Sequence, residues 1–379
     1  TTRVSDTGDA AEIWVGSQTQ SLTILGAAQA LGTTPDRITL HPLYLGGGFG
    51  RRSFLRQRYV DDALFLSKAV KKPVKVIWTR EDDLRYGTFR PAAAQHLRAA
   101  LDAEGRIIGW HHRVAVPSVI AFMNAIRWKQ AGGKDIISMN GADSRMYDVP
   151  NFLAEHVMTE RRARICAWRG VATSYTRFAV EAFLDEIATA TGRDPLDLRL
   201  DLCRKAPRAQ AVLRRVAEMA DWHTPRPDGR ALGLAFSAYK ASASAGIAEV
   251  SLDRDSGQIR VHRYWLAGDA GLVIAPRNAR AQLEGNIVYG LSSSLMERVT
   301  IRGGEVEQSN FHDYPLLRMA DLPEIAVDFV DSGAPPTGLG ELGLATVPGA
   351  IANAVARLTG KRLRRLTFTP EAVRAALEA

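Results

Sequence analysis

A chain of 379 residues is long enough for two or three domains and a substantial core. Its 46% hydrophobic and 24% charged residues are ordinary for a globular protein, and no apolar run approaches the ~20 residues of a membrane span. A net charge of +8 fits an anionic cofactor, an acidic partner or nucleic acid; arginines spread without interleaved aromatics argue against the last.

Taken in chain order, residues 11–20 read as a strand with Ile13 and Val15 inward, and residues 21–31 as a helix ending at Gly32. The sequence starts at Thr1 with a polar stretch; this is expected to be a processed end or one piece of a longer precursor, an N-terminal Thr nucleophile being the alternative. Residues 38–45 form a second strand, followed by Gly46-Gly47-Gly48-Phe49-Gly50-Arg51-Arg52. Residues 58–69 have helical spacing, and the run Pro73-Val74-Lys75-Val76-Ile77-Trp78 has the apolar content of a short buried strand of the parallel type. Residues 96–116 alternate about a turn at residues 102–105, a hairpin pattern. Residues 118–145 show weak periodicity and read as a long functional loop or interface. A clear helix covers residues 177–191 and ends at Gly192; Asp194-Pro195 opens the next, running to Cys203. Residues 207–229 are helical, then polar with two prolines. Residues 247–252 and 259–266 make a second hairpin turned at residues 255–257. Further on come a helix at 279–297, a strand at 325–330, a helix at 347–358 ended by Gly360 and a last helix at 370–379. This mixture of elements predicts an α+β or mixed α/β layer architecture.

Few residue types here carry chemistry. Three consecutive glycines exceed what a turn needs, which favours close approach of the backbone to a ligand over a plain strand-to-helix turn with Phe49 in the core. Gly338-Leu339-Gly340-Glu341-Leu342-Gly343 formally matches a dinucleotide fingerprint. Pro335-Pro336 and a carboxylate at the pyrophosphate position oppose that match, and few residues follow it. Two other readings stay open: the glycines present Glu341 as a general base, or Glu341 is an acid at a helix N-terminus. Trp168-Arg169-Gly170-Val171 suits anion binding or carbonyl orientation, or is a surface loop. Arg161-Arg162 and Lys361-Arg362-Leu363-Arg364-Arg365 are expected on solvated faces. His111 and His112 point to opposite sides of a strand, and Cys166 and Cys203 have neither metal-site spacing nor a disulfide framework, so no protein-ligated metal is expected.

These motifs together resemble one family. The runs Leu45 to Arg52 and Val74 to Asp83, then Trp168-Arg169-Gly170-Val171, Glu181-Ala182-Phe183-Leu184-Asp185-Glu186, Gly268-Asp269-Ala270-Gly271, Ala281-Gln282-Leu283-Glu284-Gly285, Gly340-Glu341 and Pro348-Gly349-Ala350-Ile351-Ala352-Asn353 occur in its order. The chain resembles the molybdenum hydroxylases of the xanthine dehydrogenase and aldehyde oxidase superfamily, and most of all a large (beta) subunit of the isoquinoline 1-oxidoreductase type. The resemblance implies an α+β, multi-subdomain molybdopterin-binding fold, divided at 1–205 and 206–379. It implies molybdopterin cytosine dinucleotide carrying molybdenum without a side-chain ligand, with Glu341 as general base. The cofactor contacts it implies are Gly47, Gly48, Phe49, Gly50, Arg51, Arg169, Gln282, Gly340, Ala345, Ala350 and Asn353. The implied reaction is oxidation of an aldehyde or N-heterocycle with water as oxygen source. Implied partners are an upstream fragment of the large chain, a small subunit holding two [2Fe-2S] clusters and a cytochrome c acceptor, with no nucleic acid. Implied localisation is periplasmic or periplasm-facing at the membrane, the alternative being cytoplasmic.

Family large subunits are about twice this length, and an upstream Gly-Gln segment has no counterpart here, so the chain is expected to be the C-terminal portion of a split or proteolysed subunit. Residues 269–276 also lack the Asn that usually precedes Pro276. Two other functions remain open: a non-catalytic cofactor-scaffold half, and a nicotinamide-dependent dehydrogenase using Gly338 to Gly343.

Overall fold

The computed structural model describes residues 1–142, 146–160 and 163–378. Its first sheet has the order β1 (Thr2–Val4), β2 (Ala11–Val15) and β3 (Ile38–Pro42), with β1 antiparallel and β3 parallel to β2. Helices α1 (Gln20–Leu31) and α2 (Arg58–Val70) close one small core over Ile13, Ala27, Ile38, Val60 and Leu64. Gly32 takes the left-handed conformation that stops α1. Both strands are shorter than expected: β2 ends at Val15 and β3 at Pro42, where the chain leaves the sheet towards the glycine loop.

Residues 73–78 correct the expectation of a buried parallel strand. They form no strand and bridge β1 at Val74, antiparallel to Thr2, and Ile77 is 75% exposed. Helix α3 (Arg80–Tyr86) follows, opened by a capping box between Thr79 and Asp82. The hairpin of β4 (Ala94–Leu101) and β5 (Ile107–Val116) forms as expected, and β6 (Asn151–Met158) adds parallel to β5. The expected loop between them contains two short helices, α4 (Val119–Met123) and α5 (Ala125–Gln130). Ser118 and Asn124 cap them, a signal that weak periodicity concealed. Residues 143–145 of that loop and Arg161-Arg162 lie outside the described residues.

Helix α6 (Thr173–Thr191) starts four residues before the expected position. α7 (Pro195–Leu202) is capped by the Asp194 carboxylate, and α8 (Pro207–Met219) follows. The second half is built on a four-stranded sheet in the order β12 (Glu324–Phe329), β9 (Ile259–Asp269), β8 (Ser242–Leu252), β7 (Arg230–Tyr239). β7, β8 and β9 form an antiparallel meander, and β12 joins β9 in parallel. Helix α10 (Thr346–Thr359) covers one face at β7 and β8, and α8 covers the other at β8 and β9. With both faces covered, β8 is buried from Ser242 to Val250 and loses the alternation of a half-exposed strand. That loss hid β7 and the first half of β8 from periodicity. Helix α9 (Pro276–Leu295) packs beside β12 and α10; the small hairpin β10 (Ile301–Arg302)–β11 (Glu305–Val306) and helix α11 (Pro370–Glu378) complete the chain. One apolar cluster joins α6, α7 and α8 to β7, β8 and β9, drawing on residues either side of position 205.

The expected solvated run 361–365 is corrected at Arg362, whose guanidinium lies 2.5 Å from Asp185 and is largely covered. Both cysteines are free and buried. Among the described residues no helix is long and apolar enough to cross a membrane.

Candidate active site

The two glycine-rich stretches meet. A cleft of about 990 Å³ is bordered by Gly46 to Gly50 from one end of the chain and by Gly340 and Glu341 from the other. Arg169, Gln282, Tyr239 and Gln18 complete its central walls. Sequence separation of some 300 residues is therefore bridged by the fold, on two turns that each need glycine for a specific reason.

The first turn is held by Gln18, whose side-chain carbonyl accepts the Gly50 amide at 3.0 Å and the Arg52 amide at 3.3 Å. Gly50 sits at φ +91°, and a Cβ there would be driven into the Ala167 carbonyl oxygen. Gln18 thus consumes the amides at the loop's far end. The Gly46, Gly47, Gly48 and Phe49 amides have no protein acceptor among the described residues. Phe49 is half-exposed rather than core, takes φ +49° and stacks on Tyr289 at 5.5 Å. A non-glycine residue held at positive φ is strained backbone, of the kind that clusters at binding sites.

The second turn positions Glu341. Its Oε1 accepts the Gly170 amide at 2.9 Å, and Oε2 has no protein partner among the described residues. Gly170 reaches this position at φ +85°, where a Cβ would press on the Ser174 hydroxyl. Its neighbour Val171 is held at φ +43°, costly for a β-branched residue. The strained turn is clamped from behind by Arg90, which donates to the Arg169 carbonyl at 2.7 Å and the Val171 carbonyl at 2.6 Å.

Arg169 is no surface arginine. Its Nε donates to the Gly340 carbonyl at 2.5 Å, and its Nη atoms reach the Gly285 carbonyl at 3.3 Å and the Gln282 side-chain oxygen at 3.3 Å. It therefore ties the Glu341 turn to α9. Burial lowers its pKa, opposed by Tyr289 and Glu341. Tyr239, on the same cleft, is pushed up to about 12, first by burial and then by the Glu341 charge. The Tyr289 hydroxyl is buried without a hydrogen-bond partner among the described residues, and its ring lies between Phe49 and Trp168.

Gly47, Gly48, Phe49, Gly50, Arg169, Gln282, Gly340 and Glu341 are thus brought together. Arg51 is turned away from this cleft, paired with Asp83 at 2.6 Å. Ala345, Ala350 and Asn353 do not line it either: all three are buried at α10, and Asn353 donates to the carbonyls of Leu234 and Glu181 in the helix–sheet contact. Gln18, Arg90 and Tyr289 went unnoticed in the sequence, because no local pattern distinguishes a lone Gln, Arg or Tyr whose role is set by a contact tens of residues away. The dinucleotide alternative is corrected by topology. Residues 330–345 intervene between β12 and α10, and β12 is the edge of a mainly antiparallel sheet, so no tight strand–turn–helix unit exists. Among the described residues no group of three or more His, Cys, Asp or Glu is placed to hold a metal ion.

Comparison with known proteins agrees with this geometry. Residues 1–201 and 169–323 each match a molybdopterin cofactor-binding domain. The chain is 40% identical over 369 residues to isoquinoline 1-oxidoreductase subunit beta of Brevundimonas diminuta, covering 95% of this chain and 46% of that one. It is 35% identical over 385 residues to a membrane-bound aldehyde dehydrogenase [pyrroloquinoline-quinone] of Gluconacetobacter polyoxogenes, covering 95% and 49%. The chain thus spans about half the length of these curated relatives. Quinoline 2-oxidoreductase from Pseudomonas putida 86 superposes over the whole chain and 73% of its own, with a TM-score of 0.84 at 14% identity; the aldehyde oxidoreductase of Desulfovibrio gigas does so with 0.80 at 16%, over 59% of its own. At these identities the two structures show a shared fold. The chain belongs to the molybdopterin cofactor-binding domain family, whose models match its residues 1–201 and 169–323.

Proposed function

We propose that this chain is the part of a molybdenum hydroxylase that bears the general base, and that the enzyme oxidises an aldehyde or N-heterocycle with oxygen taken from water. The observation that carries this is the convergence of Glu341, with one carboxylate oxygen unpartnered, and the free amides of Gly46 to Phe49 on one cleft. The residues present fit molybdopterin cytosine dinucleotide. Unpartnered amides match phosphate and pterin acceptors, and the orphaned Tyr289 hydroxyl offers a further polar contact. Gly47, Gly48, Phe49, Gly50, Arg169, Gln282 and Gly340 would hold it. When bound, this group supplies the oxygen-transfer and two-electron chemistry that no side chain provides.

The chain's own residues position and move a proton. The Gly170 amide fixes Glu341 Oε1, which leaves Oε2 to accept a proton from the nucleophile's oxygen. Arg169 fixes the Gly340 carbonyl and so the turn that carries Glu341. Phe49, stacked on Tyr289, gives the cleft an apolar wall. Electrons would leave to a small [2Fe-2S] subunit, with a cytochrome c downstream, and an upstream part of the large subunit completes the assembly. The relatives' names, subunit beta among them, support a multi-subunit enzyme. Export in folded form to the periplasm belongs to the same reading, tested by cell fractionation.

Glu341→Gln in the native complex is expected to lower turnover by ~10²-fold or more, with molybdenum and releasable CMP unchanged. Turnover above about a hundredth of the wild-type value would remove the base role and leave a scaffold.

A further inference from the structure

A strained hairpin turn carries a second polar group to the cleft. β7 and β8 pair as far as Tyr239 and Ser242, which leaves Lys240 and Ala241 as a two-residue turn. Both take positive φ, +49° and +65°. This is the signature of the type I′ turn, which suits the twist of a hairpin and normally falls to Asn-Gly or paired glycines. Lysine and alanine adopt it only at a cost in backbone strain. Arg208 maintains it. Its Nη1 donates to the Ala241 carbonyl at 2.9 Å, while Nε and Nη2 each reach the buried Asp269 carboxylate at 2.7 Å. Arg90 holds the strained turn at 169–171 in the same manner, by its carbonyls. Both turns border the cleft that contains Glu341.

What the β7–β8 turn presents there is Tyr239. It is half-buried on the cleft wall, and Lys240 Nζ lies 5.1 Å from its ring centroid. Its hydroxyl has no hydrogen-bond partner among the described residues. Burial and then the Glu341 charge push its pKa up to about 12, so at neutral pH the phenol keeps its proton and is free to donate it to a hydrogen bond. Arg169, by contrast, is committed to the carbonyls of Gly340 and Gly285. The cleft therefore holds an open acceptor, Glu341 Oε2, and an open donor, Tyr239 Oη. Attack on the carbon of a C=O or C=N group calls for both. The nucleophile gives up a proton, and negative charge builds on the oxygen or nitrogen beside the attacked carbon.

We propose that Tyr239 is a further catalytic residue, whose hydroxyl donates a hydrogen bond to the carbonyl oxygen of an aldehyde, or to the ring nitrogen of an N-heterocycle, next to the carbon that is oxidised. The inference rests on the hydroxylase reading above. No bond to Tyr239 forms or breaks. The hydrogen bond strengthens as charge collects on the substrate atom, and the phenol is unchanged at the end of turnover. Arg208 acts through the turn, as the residue that positions Tyr239.

Tyr239→Phe in the native complex removes the hydroxyl and keeps the ring. Wild-type turnover of benzaldehyde and of isoquinoline is measured first; turnover of neither, with molybdenum bound, overturns the hydroxylase reading and this proposal with it. On whichever is turned over, the variant is expected to lose ~10-fold or more in kcat/KM, with molybdenum and releasable CMP unchanged. A loss under about threefold overturns the role of Tyr239 and leaves the hydroxylase reading standing. A fall in molybdenum or CMP in step with activity assigns Tyr239 to the cofactor instead, which also overturns the proposal. Substituents supply a readout that packing would not move. The hydrogen bond matters most where the substrate itself stabilises the charge least. The loss is therefore expected to be at least ~3-fold larger for para-methoxybenzaldehyde than for para-nitrobenzaldehyde, or for an amino- than for a nitro-substituted isoquinoline. Equal losses across the pair overturn the proposal.

Discussion

Two carboxylates, both set beside arginines around the N-terminal part of α6, have opposite fates. Glu181 is fully buried and saturated: Arg177 Nη2 reaches it at 2.5 Å, Arg199 Nε at 2.8 Å, the Tyr147 hydroxyl at 2.9 Å and the Phe236 amide at 2.9 Å. Glu341 accepts one amide and keeps Oε2 for the cleft. The first arrangement satisfies every lone pair that burial would leave costly, and so it orders the core between α6, α7 and β7. The second leaves an acceptor oxygen at a position fixed by the Gly170 amide and the Arg169–Gly340 tie. Saturation suits a structural role, and an oriented acceptor open to the cleft is what the proposed general base requires.

Substitution at each carboxylate breaks the comparison in a different observable. If Glu341 is the general base as proposed, Glu341→Gln is expected to have the largest effect, ~10²-fold or more in turnover, with little change in melting temperature. Glu181→Gln is expected to lose about 3–5 kcal/mol of stability, because two fully buried guanidiniums lose their counter-charge; urea unfolding measures it. A loss under about 1 kcal/mol would mean that the network relaxes to water.

His112 sharpens the structural side. It is fully buried against Gln95, and burial lowers its pKa to about 4 from 6.5. The unfolded chain therefore takes up the proton first as pH falls. Stability from this group is complete above about pH 6.5 and is lost progressively down to about pH 4, by ~3 kcal/mol. His112→Gln should remove that part of the acid slope; an unchanged slope would place the cause elsewhere.

Gly50→Ala tests the cleft side without touching a charge. The forced Cβ and positive φ cost on the order of 1–3 kcal/mol, and the loop can relieve this only by moving off Ala167. Bound molybdenum and releasable CMP should fall with it. The smallest effect is chemical: burial pushes the Cys203 thiol up to about 12, so neither Cys203 nor the buried Cys166 should be alkylated in the folded protein at neutral pH.

How much of this was legible in the sequence depends on the range of the cause. The caps at Gly32, Asp194 and Gly360, and the turn of the β4–β5 hairpin, are decided within a few residues and were read correctly. Residues 73–78 were misplaced because composition reports that an apolar run needs cover, while the identity of the cover is tertiary. β7 was missed for the converse reason, since burial on both faces erases alternation. At the site, Glu341 and Gly46 to Gly50 stood out by their local oddity, whereas Gln18, Arg90 and Tyr289 act only across the fold.

By itself the sequence determined the turns, most helices, the family and the two loops where chemistry concentrates, because glycine placement, capping and motif order are local and strongly constrained. Only the tertiary structure decided that those loops share one cleft, that Arg169 faces a carbonyl and not Glu341, and that Asn353 serves a helix–sheet contact. Each of these is a pairing of hydrogen-bonding groups far apart in the chain, and which donor meets which acceptor is set by packing.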